Sequence, residues 1–439
     1  MRDFATSDDP DVQQELDRLA ALSLPQGRFG LETIREILER IGNPQKRLPP
    51  TFHVAGTNGK GSTCTYLRYM LEAQGLTVHT ATKPHLVRYN ERIRLAGKLV
   101  EDRVLAALLK QVLDASEDLG PSFFEVTTAA TFLAFADNPA DACVIEVGLG
   151  GRFDATNVLE HPAACGIASL GIDHEAFLLR EDLSAPAHPL ARIAFEKAHI
   201  VRKGSPLVTM SYPPEATEQV IRLAKAAGAP VAMRGQEWTV SVGDQLHYRD
   251  EAGTLDLPLP QLYGTHQGEN AALAVAMLRH QKMVAVTREA MGRGISNARW
   301  PARLQALGKG PITALVPGAE FILDGGHNPD AAQAIARALA GRRDMALVMG
   351  MMANRPIREF LEPIAPLIAS IRAVPIPGHD CHSPEDICKA AQELGIADAA
   401  TAQDAPDALS SLAQADTVLI AGSLYLAGEV LRENEEVPD

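Results

Sequence analysis

A glycine-rich loop with a lysine follows a short apolar stretch near the start of the chain. The stretch Thr51–Ala55 is predicted to be a strand and a helical pattern follows the loop, which consists of Gly56, Thr57, Asn58, Gly59, Lys60, Gly61, Ser62 and Thr63. Glycines let backbone N–H groups approach phosphate oxygens, a lysine neutralises them, and the helix N-terminus adds partial positive charge. The order predicts a nucleotide-phosphate site, and the alternative is a plain turn with a surface lysine.

The loop departs from the strict Walker form. Gly56 stands three residues before Gly59 rather than five, and Gly61 takes the place where Ser or Thr usually contacts magnesium. Ser62 or Thr63 must therefore supply any hydroxyl for a metal ion.

An acidic residue lies at the end of a second apolar strand. Glu146 lies near the end of the stretch Ala142–Val147, and Gly148, Gly150 and Gly151 come after it. The carboxyl ends of parallel strands line the crevice where ligands bind, and a carboxylate is the hard oxygen ligand that Mg²⁺ prefers. We expect Glu146 to be a metal ligand, and the alternative is a strand-end acid facing water.

The elements that carry these residues alternate between strand and helix. The strand Thr51–Ala55, the helix Ser62–Gln74 and the strand Thr77–Thr82 are followed by a helix over 125–137 and the strand Ala142–Val147. Later strands are predicted at Phe321–Leu323, Ala346–Met349, Ile371–Val374 and Thr417–Ala421, with helices such as Ala331–Leu339 and Pro384–Leu394 between them. The fold class is therefore α/β, with a P-loop-type, mostly parallel sheet between helices on both faces and a smaller C-terminal, Rossmann-like α/β domain. A Pro-containing stretch at 297–303 places the boundary near residue 300, giving domains 1–300 and 301–439.

Composition limits the class of partner and the compartment. The 439 residues carry a net charge of -14 and 46% hydrophobic residues, which describes a globular protein with no long-range attraction for nucleic acid. Five cysteines without a close CxxC pair are expected to be reduced thiols. The acidic start lacks a secretory pattern and no membrane-spanning run is evident, so we expect a cytoplasmic protein with no membrane partner.

Several further blocks resemble one family. GTNGKGST resembles the loop of the Mur ligase superfamily, and Lys83–Arg94 resembles its folate branch, the folylpolyglutamate synthase/dihydrofolate synthase family. Blocks in the same order include Phe123–Val126, Val144–Asn157, Gly171–His174, Phe195–Ala198, His266–Leu273, Trp300–Gln305, Leu323–Pro329 and Gly422–Val430. The resemblance implies an ATP-dependent ligase that adds L-glutamate to dihydropteroate or tetrahydrofolate through an acyl phosphate. By analogy it also implies a monomer.

The resemblance also implies roles for individual residues. Lys60, His174 and Lys197 would be catalytic, with Glu146, His174, Lys197 and Ser62 at two Mg²⁺ ions and a carbamate on Lys197. ATP would contact Gly56–Ser62 together with Asn270, Arg303, Asp324 and His327. The pterin and carboxylate substrate would contact Phe29, Gly30, Lys83, Phe123, Phe124, Glu125, Arg152, Phe153 and Asp154. From the pattern alone, His174 reads as a structural or solvated histidine, Lys197 as an exposed helix-end lysine, and Phe123 and Phe124 equally as core.

Departures from the family keep alternatives open. Lys83 stands where the family has a serine that serves magnesium, His199 stands where a glycine is usual, and Met351–Pro356 matches loosely. The alternatives are a Mur-type ligase for another acceptor, and a nucleotide-binding homologue whose catalysis is impaired by Lys83.

Overall fold

A computed structural model describes residues 6–22, 30–173, 178–179, 182 and 184–438. The chain divides into two compact units. The first contains Met1–Gln261 and Gln267–Ala298, and the second contains Leu262–His266 and Arg299–Asp439. The boundary expected after residue 300 lies close to Ala298, but the assignment of Leu262–His266 to the second unit was not predicted.

The first unit is built on a large, mostly parallel sheet. Its strands are β1 (Thr51–Ala55), β2 (Val78–Ala81), β3 (Ile93–Leu95), β4 (Lys98–Leu99), β5 (Ala142–Glu146), β6 (Ala164–Ile167), β7 (Leu207–Thr209) and β8 (Val231–Met233). Their spatial order is β4-β3-β2-β5-β1-β6-β7-β8, and β3, near one edge, is antiparallel to its neighbours β2 and β4. A separate antiparallel meander consists of β9 (Trp238–Val242), β10 (Leu246–Asp250) and β11 (Gly253–Leu257).

Helices surround the large sheet. They are α1 (Pro10–Ala20), α2 (Glu32–Arg40), α3 (Lys60–Ala73), α4 (Asp102–Ser116), α5 (Phe123–Asp137), α6 (Pro189–Ala198), α7 (Pro214–Ala227), α8 (Thr265–Arg279) and α9 (Arg288–Asn297). Short 3₁₀ turns occur at Pro44–Arg47, Tyr89–Arg92 and Glu117–Leu119. All residues of β1 and β5 are buried, which is the pattern of strands with helices on both faces.

The register of the large sheet decides where the site lies. Val54 is paired with Glu146, Ala55 with Ile167, and Ala81 with Ile145. The carboxyl ends of β2, β5, β1 and β6 therefore meet at one edge. The loops that follow these four strands carry most of the candidate site residues of the first unit.

The second unit has its own six-stranded sheet. Its strands are β12 (Gln305–Ala306), β13 (Glu320–Leu323), β14 (Met345–Met349), β15 (Ile368–Ala373), β16 (Asp398–Thr401) and β17 (Thr417–Ala421), in the order β12-β13-β17-β14-β15-β16. Its helices are α10 (Pro329–Ala338), α11 (Ile357–Ile364), α12 (Pro384–Glu393), α13 (Ala405–Ser410) and α14 (Leu424–Glu433), with 3₁₀ turns at Thr313–Leu315 and Ala365–Leu367. Only β12 is antiparallel among these strands.

The α/β fold class is confirmed, because both large sheets are mostly parallel and are packed with helices. The meander β9–β11 was not predicted. The rings of Trp238 and Tyr248 stack within it, with 5.8 Å between their centroids. In the part of the chain that the structure describes, no helix is both long and apolar enough to span a membrane.

Candidate active site

The loop between β1 and α3 has the shape of an anion cradle. Gly56 has a φ of 151°, and a Cβ there would lie 2.9 Å from the Cβ of Ala168. Gly59 precedes α3 with a φ of 85°, and a Cβ there would collide with the side-chain oxygen of Asn270. Both positions need glycine, because a side chain would be strained and would push neighbouring segments away. The cradle opens onto the N-terminus of α3, and the partial positive charge at a helix N-terminus favours an anion.

Thr57 fixes the cradle to the segment after β6. Its N–H donates to the carbonyl of Ser169 at 2.7 Å, and its hydroxyl donates to the carbonyl of Gly171 at 2.9 Å while accepting from the Gly171 N–H at 3.1 Å. The side chain of Thr57 is thus engaged within the protein, and its backbone remains part of the cradle. The predicted residue His174 follows this segment and lies outside the described residues.

Lys60 and two hydroxyls line the start of α3. The Lys60 ammonium donates to the carbonyls of Gly56 and Thr57, each at 3.0 Å, so it folds over the loop. Ser62 is 2% exposed and Thr63 is fully buried, and the Thr63 hydroxyl has no hydrogen-bond partner. A buried hydroxyl without a partner is costly unless a ligand or a water molecule reaches it. The residues present therefore fit a phosphate group with its accompanying cation.

Glu146 lies beside Lys83 at the end of β5. The Glu146 carboxylate is 3% exposed and accepts a hydrogen bond from the Lys83 backbone N–H at 3.0 Å. The Lys83 ammonium lies 3.6 Å from the position that a Cβ on Gly148 would occupy. Burial lowers the pKa of Lys83, although the negative charges of Asp154 and Glu146 oppose this shift. A lysine amine is therefore buried beside two carboxylates at this edge of the sheet.

Asp154 holds the glycine loop that follows Glu146. One carboxylate oxygen accepts from the N–H groups of Gly148 and Leu149, at 3.0 and 2.9 Å. The other accepts from the N–H and the hydroxyl of Thr156, at 3.0 and 2.5 Å. Burial alone would raise the pKa of Asp154, but the charge of Lys83 and these hydrogen bonds lower it. Asp154 is therefore an ionised residue that shapes the loop.

Lys197 lies near the end of α6 against the same glycine loop. A Cβ on Gly151 would lie 2.9 Å from the carbonyl oxygen of Lys197, and the Arg152 N–H donates to the carbonyl of Glu196 at 2.8 Å. Lys197 is 4% exposed, in contrast to the exposed lysine that the helix pattern alone suggests. Burial lowers its pKa well below the usual value, and the charge of Lys60 adds to this effect.

Arg152 is paired within the protein. Its guanidinium lies 2.7 Å from Asp182 and 3.5 Å from Glu196, and it lies over the ring of Phe153 at 4.6 Å. These partners hold the Arg152 side chain next to α6. Its predicted contact with a substrate anion stays a prediction.

The aromatic pair at the start of α5 is partly buried. The rings of Phe123 and Phe124 meet edge to face at 5.3 Å, and the Arg92 guanidinium lies 5.5 Å from the Phe123 ring. Glu125 forms a capping box with Ser122, since its carboxylate accepts the Ser122 N–H at 2.8 Å. The spacing S-x-x-E is a capping-box signal that was visible in the sequence. Gly30 precedes α2, and Phe29 lies outside the described residues.

In the second unit, Asp324 follows β13, and backbone N–H groups of two other residues bind its side chain. Its carboxylate accepts from the N–H of Leu304 at 2.9 Å and from the N–H of Gly326 at 2.6 Å. Arg303 lies in the segment thus fixed and donates to the carbonyl of Ala302 at 2.7 Å. The His327 ring is 3.0 Å from the carbonyl of Gly325. Asp324, Arg303 and His327 therefore lie together at the end of β13.

The divalent-metal prediction rests on few described donors. Among the described residues, no cluster of three or more His, Cys, Asp or Glu side chains could hold a metal ion. Glu146 and the Ser62 hydroxyl are oxygen donors of the type that Mg²⁺ takes alongside substrate phosphates. The donor set fits a metal ion bound jointly with phosphate.

Comparison with known proteins gives the class first. Residues 303–424 match the family model described as Mur ligase, glutamate ligase domain. The dihydrofolate synthase/folylpolyglutamate synthase of Bacillus subtilis (strain 168) is 31% identical over an alignment of 424 residues that covers 91% of this chain and 94% of that protein. The chain therefore belongs to the folylpolyglutamate synthase/dihydrofolate synthase family.

Solved structures agree with this assignment. E. coli FolC in complex with DHPP and ADP is 30% identical, with a TM-score of 0.84 and 98% of both chains covered. A bifunctional folylpolyglutamate synthase/dihydrofolate synthase with Mn, AMPPNP and L-glutamate bound is 27% identical, with a TM-score of 0.83 and 96% and 97% coverage. The resemblance that the motifs indicated is confirmed. These relatives also favour the folate branch over a Mur-type ligase for another acceptor.

Proposed function

We propose that this chain is an ATP-dependent ligase that adds L-glutamate to dihydropteroate and to tetrahydrofolate. The observation that carries the proposal is the meeting of the glycine cradle, Lys60, Glu146 and Lys197 in loops and helix ends at one edge of the first sheet. Relatives that span more than nine-tenths of the chain carry names of this activity.

The reaction divides into two balanced steps. An oxygen of the acceptor carboxylate attacks the γ-phosphorus of ATP, which forms an acyl phosphate and releases ADP. The amino group of glutamate then attacks the acyl carbon, the amide bond forms, and inorganic phosphate and a proton leave. Lys60 and the α3 N-terminus stabilise the negative charge of the transferred phosphoryl group, because fixed donors in a site with little water act strongly.

A divalent metal ion would be held by Glu146 and Ser62, with His174 as a further proposed ligand. When bound, such an ion neutralises phosphate oxygens and orients the triphosphate. Asn270 lies against the cradle and is proposed to contact the nucleotide, as are Arg303, Asp324 and His327 in the second unit. Phe29, Gly30, Phe123, Phe124, Phe153 and Asp154 are proposed for the pterin and carboxylate substrate.

Lys197 is proposed to carry a carbamate and to take part at a second metal ion. Carbamate formation needs a neutral amine to attack carbon dioxide, and the lowered pKa of the buried Lys197 supports this state. The product is a carboxylate-like group and a proton, which converts a cation into a metal ligand. A carbamate signal from ¹³C-bicarbonate in wild type that is absent from Lys197→Ala would support this. Identical spectra would contradict it.

The deciding experiment measures phosphate release with ATP and Mg²⁺. Dihydropteroate and tetrahydrofolate are tested separately, each with and without L-glutamate, and the product is identified by mass spectrometry. Glutamate-dependent release and a glutamate adduct support the proposal. If an ATP analogue binds but no glutamate adduct forms, the result favours the alternative, a nucleotide-binding homologue whose catalysis is impaired by Lys83. Light scattering of the same sample tests the expected monomer.

A further inference from the structure

A buried chain of hydrogen bonds joins β1 to the segment after the glycine loop. The His53 ring nitrogen Nε2 lies 2.8 Å from the Thr156 hydroxyl, and that hydroxyl lies 2.5 Å from the Asp154 carboxylate. His53 is 1% exposed, Thr156 2% and Asp154 8%. His53 and Thr156 are 103 residues apart, so this contact ties two distant parts of the sequence together.

The chemistry of the three side chains fixes which group donates in each of these hydrogen bonds. An ionised carboxylate only accepts, so the Thr156 hydroxyl donates its proton to Asp154. The hydroxyl must then accept from His53, which is possible for a neutral imidazole with its proton on Nε2. Burial lowers the pKa of His53 to about 3, which agrees with a neutral ring near pH 7. Each donor in the chain therefore has its acceptor.

The Asp154 end of this hydrogen-bond chain lies in the candidate active site. Asp154 accepts from the N–H groups of Gly148 and Leu149, and it supplies the largest opposing charge at Lys83. The bonds from Thr156 to Asp154 span only two residues and fix a local turn. The bond from His53 places that turn against β1, the strand that leads into the phosphate loop.

We infer that His53 and Thr156 are positioning residues, which orient Asp154 so that it holds the Lys83 ammonium and the Gly148–Gly151 loop in the active site. The inference rests on the proposed ligase activity for its kinetic test. Neither residue contacts the reacting groups, and both act through Asp154.

The kinetic test uses variants of nearly equal shape. Thr156→Val removes the hydroxyl, and we expect kcat for glutamate addition to fall about 10- to 100-fold, the range for residues that orient an active-site group. The KM for ATP should change little, because the cradle is untouched. Thr156→Ser keeps the hydroxyl and should recover most of kcat. His53→Phe should resemble Thr156→Val.

A matched control is His79, which is also a buried histidine on a strand of this sheet. Its ring contacts the carbonyl of Asn138 and the N–H of Ala96, and it has no part in the site. His79→Gln should lower the melting temperature without changing kcat of the folded protein. Equal kcat in Thr156→Val and wild type would overturn the inference, as would a failure of Thr156→Ser to recover activity.

Two further measurements separate this inference from the proposed function. In a Lys83→Met background, Thr156→Val should cause a much smaller loss of kcat, because the charge that Asp154 holds is already gone. Compared with the crystal structure of wild type, that of Thr156→Val should show a rotated Asp154 side chain and a displaced Lys83 ammonium. Superimposable Asp154 and Lys83 side chains would sink the inference even if the enzyme is active. A wild type without ligase activity would sink the proposed function, while the crystal structures would still decide the positioning role.

Discussion

Each unit has an acidic residue at the end of a parallel strand or in the loop that follows it, and the surroundings of these acidic residues differ between the units. In the second unit, both oxygens of Asp324 accept backbone N–H groups, and the nearby Arg303 donates to a backbone carbonyl. In the first unit, Glu146 and Asp154 lie near Lys83, and Asp154 also acts on the buried Lys197. Backbone N–H groups hold the acidic residues at both edges, but at the first edge buried lysines lie beside them as well.

The two edges therefore differ in their electrostatics. Buried lysines with a lowered pKa destabilise the empty protein, because burial disfavours the charged form. An anionic ligand relieves that cost, so the first edge is prepared for phosphate chemistry. The backbone bonds of Asp324 instead fix the loop around Arg303. Substitutions at the first edge should therefore change kcat, and substitutions at the second should change stability or KM.

The largest effect is expected for Lys60→Ala. The cradle would lose the ammonium that neutralises the transferred phosphoryl group, and kcat should fall about 10²- to 10³-fold. Phosphate release measures the loss, and Trp238 fluorescence in a Trp300→Phe background checks folding of the first unit. Lys225→Ala removes an exposed lysine of α7 and should leave kcat unchanged. A Lys60→Ala enzyme with wild-type kcat would remove the charge argument for this edge.

Lys197→Ala should lose about 100-fold in activity, the upper range for a group that supports a metal ion. Because the proposed carbamate acts as a carboxylate, formate or acetate in solution should restore part of the activity. The exposed Lys203 follows the same helix, and Lys203→Ala is the matched control. Full activity in Lys197→Ala, or no response to the added acids, contradicts the carbamate assignment.

Lys83 tests whether built-in charge contributes to the transition state. An ammonium has no lone pair for a metal ion, but it attracts phosphate oxygens. Lys83→Ala should cost on the order of 1.5–3 kcal/mol in transition-state stabilisation, the range for a hydrogen bond to a charged group. Lys83→Ser should shift the magnesium titration because it restores an oxygen donor. Lys98→Ala, at an exposed position of β4, serves as control, and curves for both Lys83 variants that overlay wild type would make Lys83 a tolerated change.

The contrast between the units also shows what a sequence can reveal. β1 and β17 have the predicted bounds, because their apolar runs are short and end at glycine loops. The cradle and Glu146 were predicted as loop and strand-end residues, since strand order and glycine spacing are local signals, whereas Asp324 was identified through the family resemblance. The antiparallel meander was missed because exposed polar residues separate its buried apolar ones, so no continuous apolar run marks these strands.

Partners that are distant in sequence were not predicted. Arg152 was expected to meet an anionic substrate, but its contacts with Asp182 and Glu196 depend on the packing of α6. His53 is the one polar ring in TFHVA, and a buried polar residue in an apolar strand is a signal that it has a partner. The partner, Thr156, could only be identified from the structure.

Asp324→Asn tests the backbone role of the second edge. Asn keeps one oxygen acceptor but presents an amide group to the second N–H, so unfolding of this unit should become easier by about 1–2 kcal/mol. Urea denaturation followed by Trp300 fluorescence in a Trp238→Phe background reports the second unit alone, since the chain has two tryptophans. The exposed Asp416→Asn is the control. Unchanged stability would contradict the contrast drawn between the two edges.

The smallest effect concerns pH and the buried histidines of the first sheet. Burial lowers the pKa of His53 and His79 below the ordinary value of 6.5, so the unfolded chain binds their protons more readily than the folded chain does. Their contribution to stability is present above pH 6.5 and is lost as the pH falls from there towards the folded-state pKa values. His79 should therefore contribute less to stability at pH 5.5 than at pH 7.

The strands of the second sheet, all within the described residues, contain no histidine, so the acid effect should be larger in the first unit. Urea unfolding is followed at pH 7 and 5.5 by Trp238 fluorescence in a Trp300→Phe background, and by Trp300 fluorescence in a Trp238→Phe background. His79→Gln has no ring to protonate, so its first unit should lose less stability over this range than wild type does. If His79→Gln and wild type lose equal stability, the neutral state of His79 is not linked to folding. If the two units lose stability equally, buried titratable groups do not distinguish the first sheet from the second.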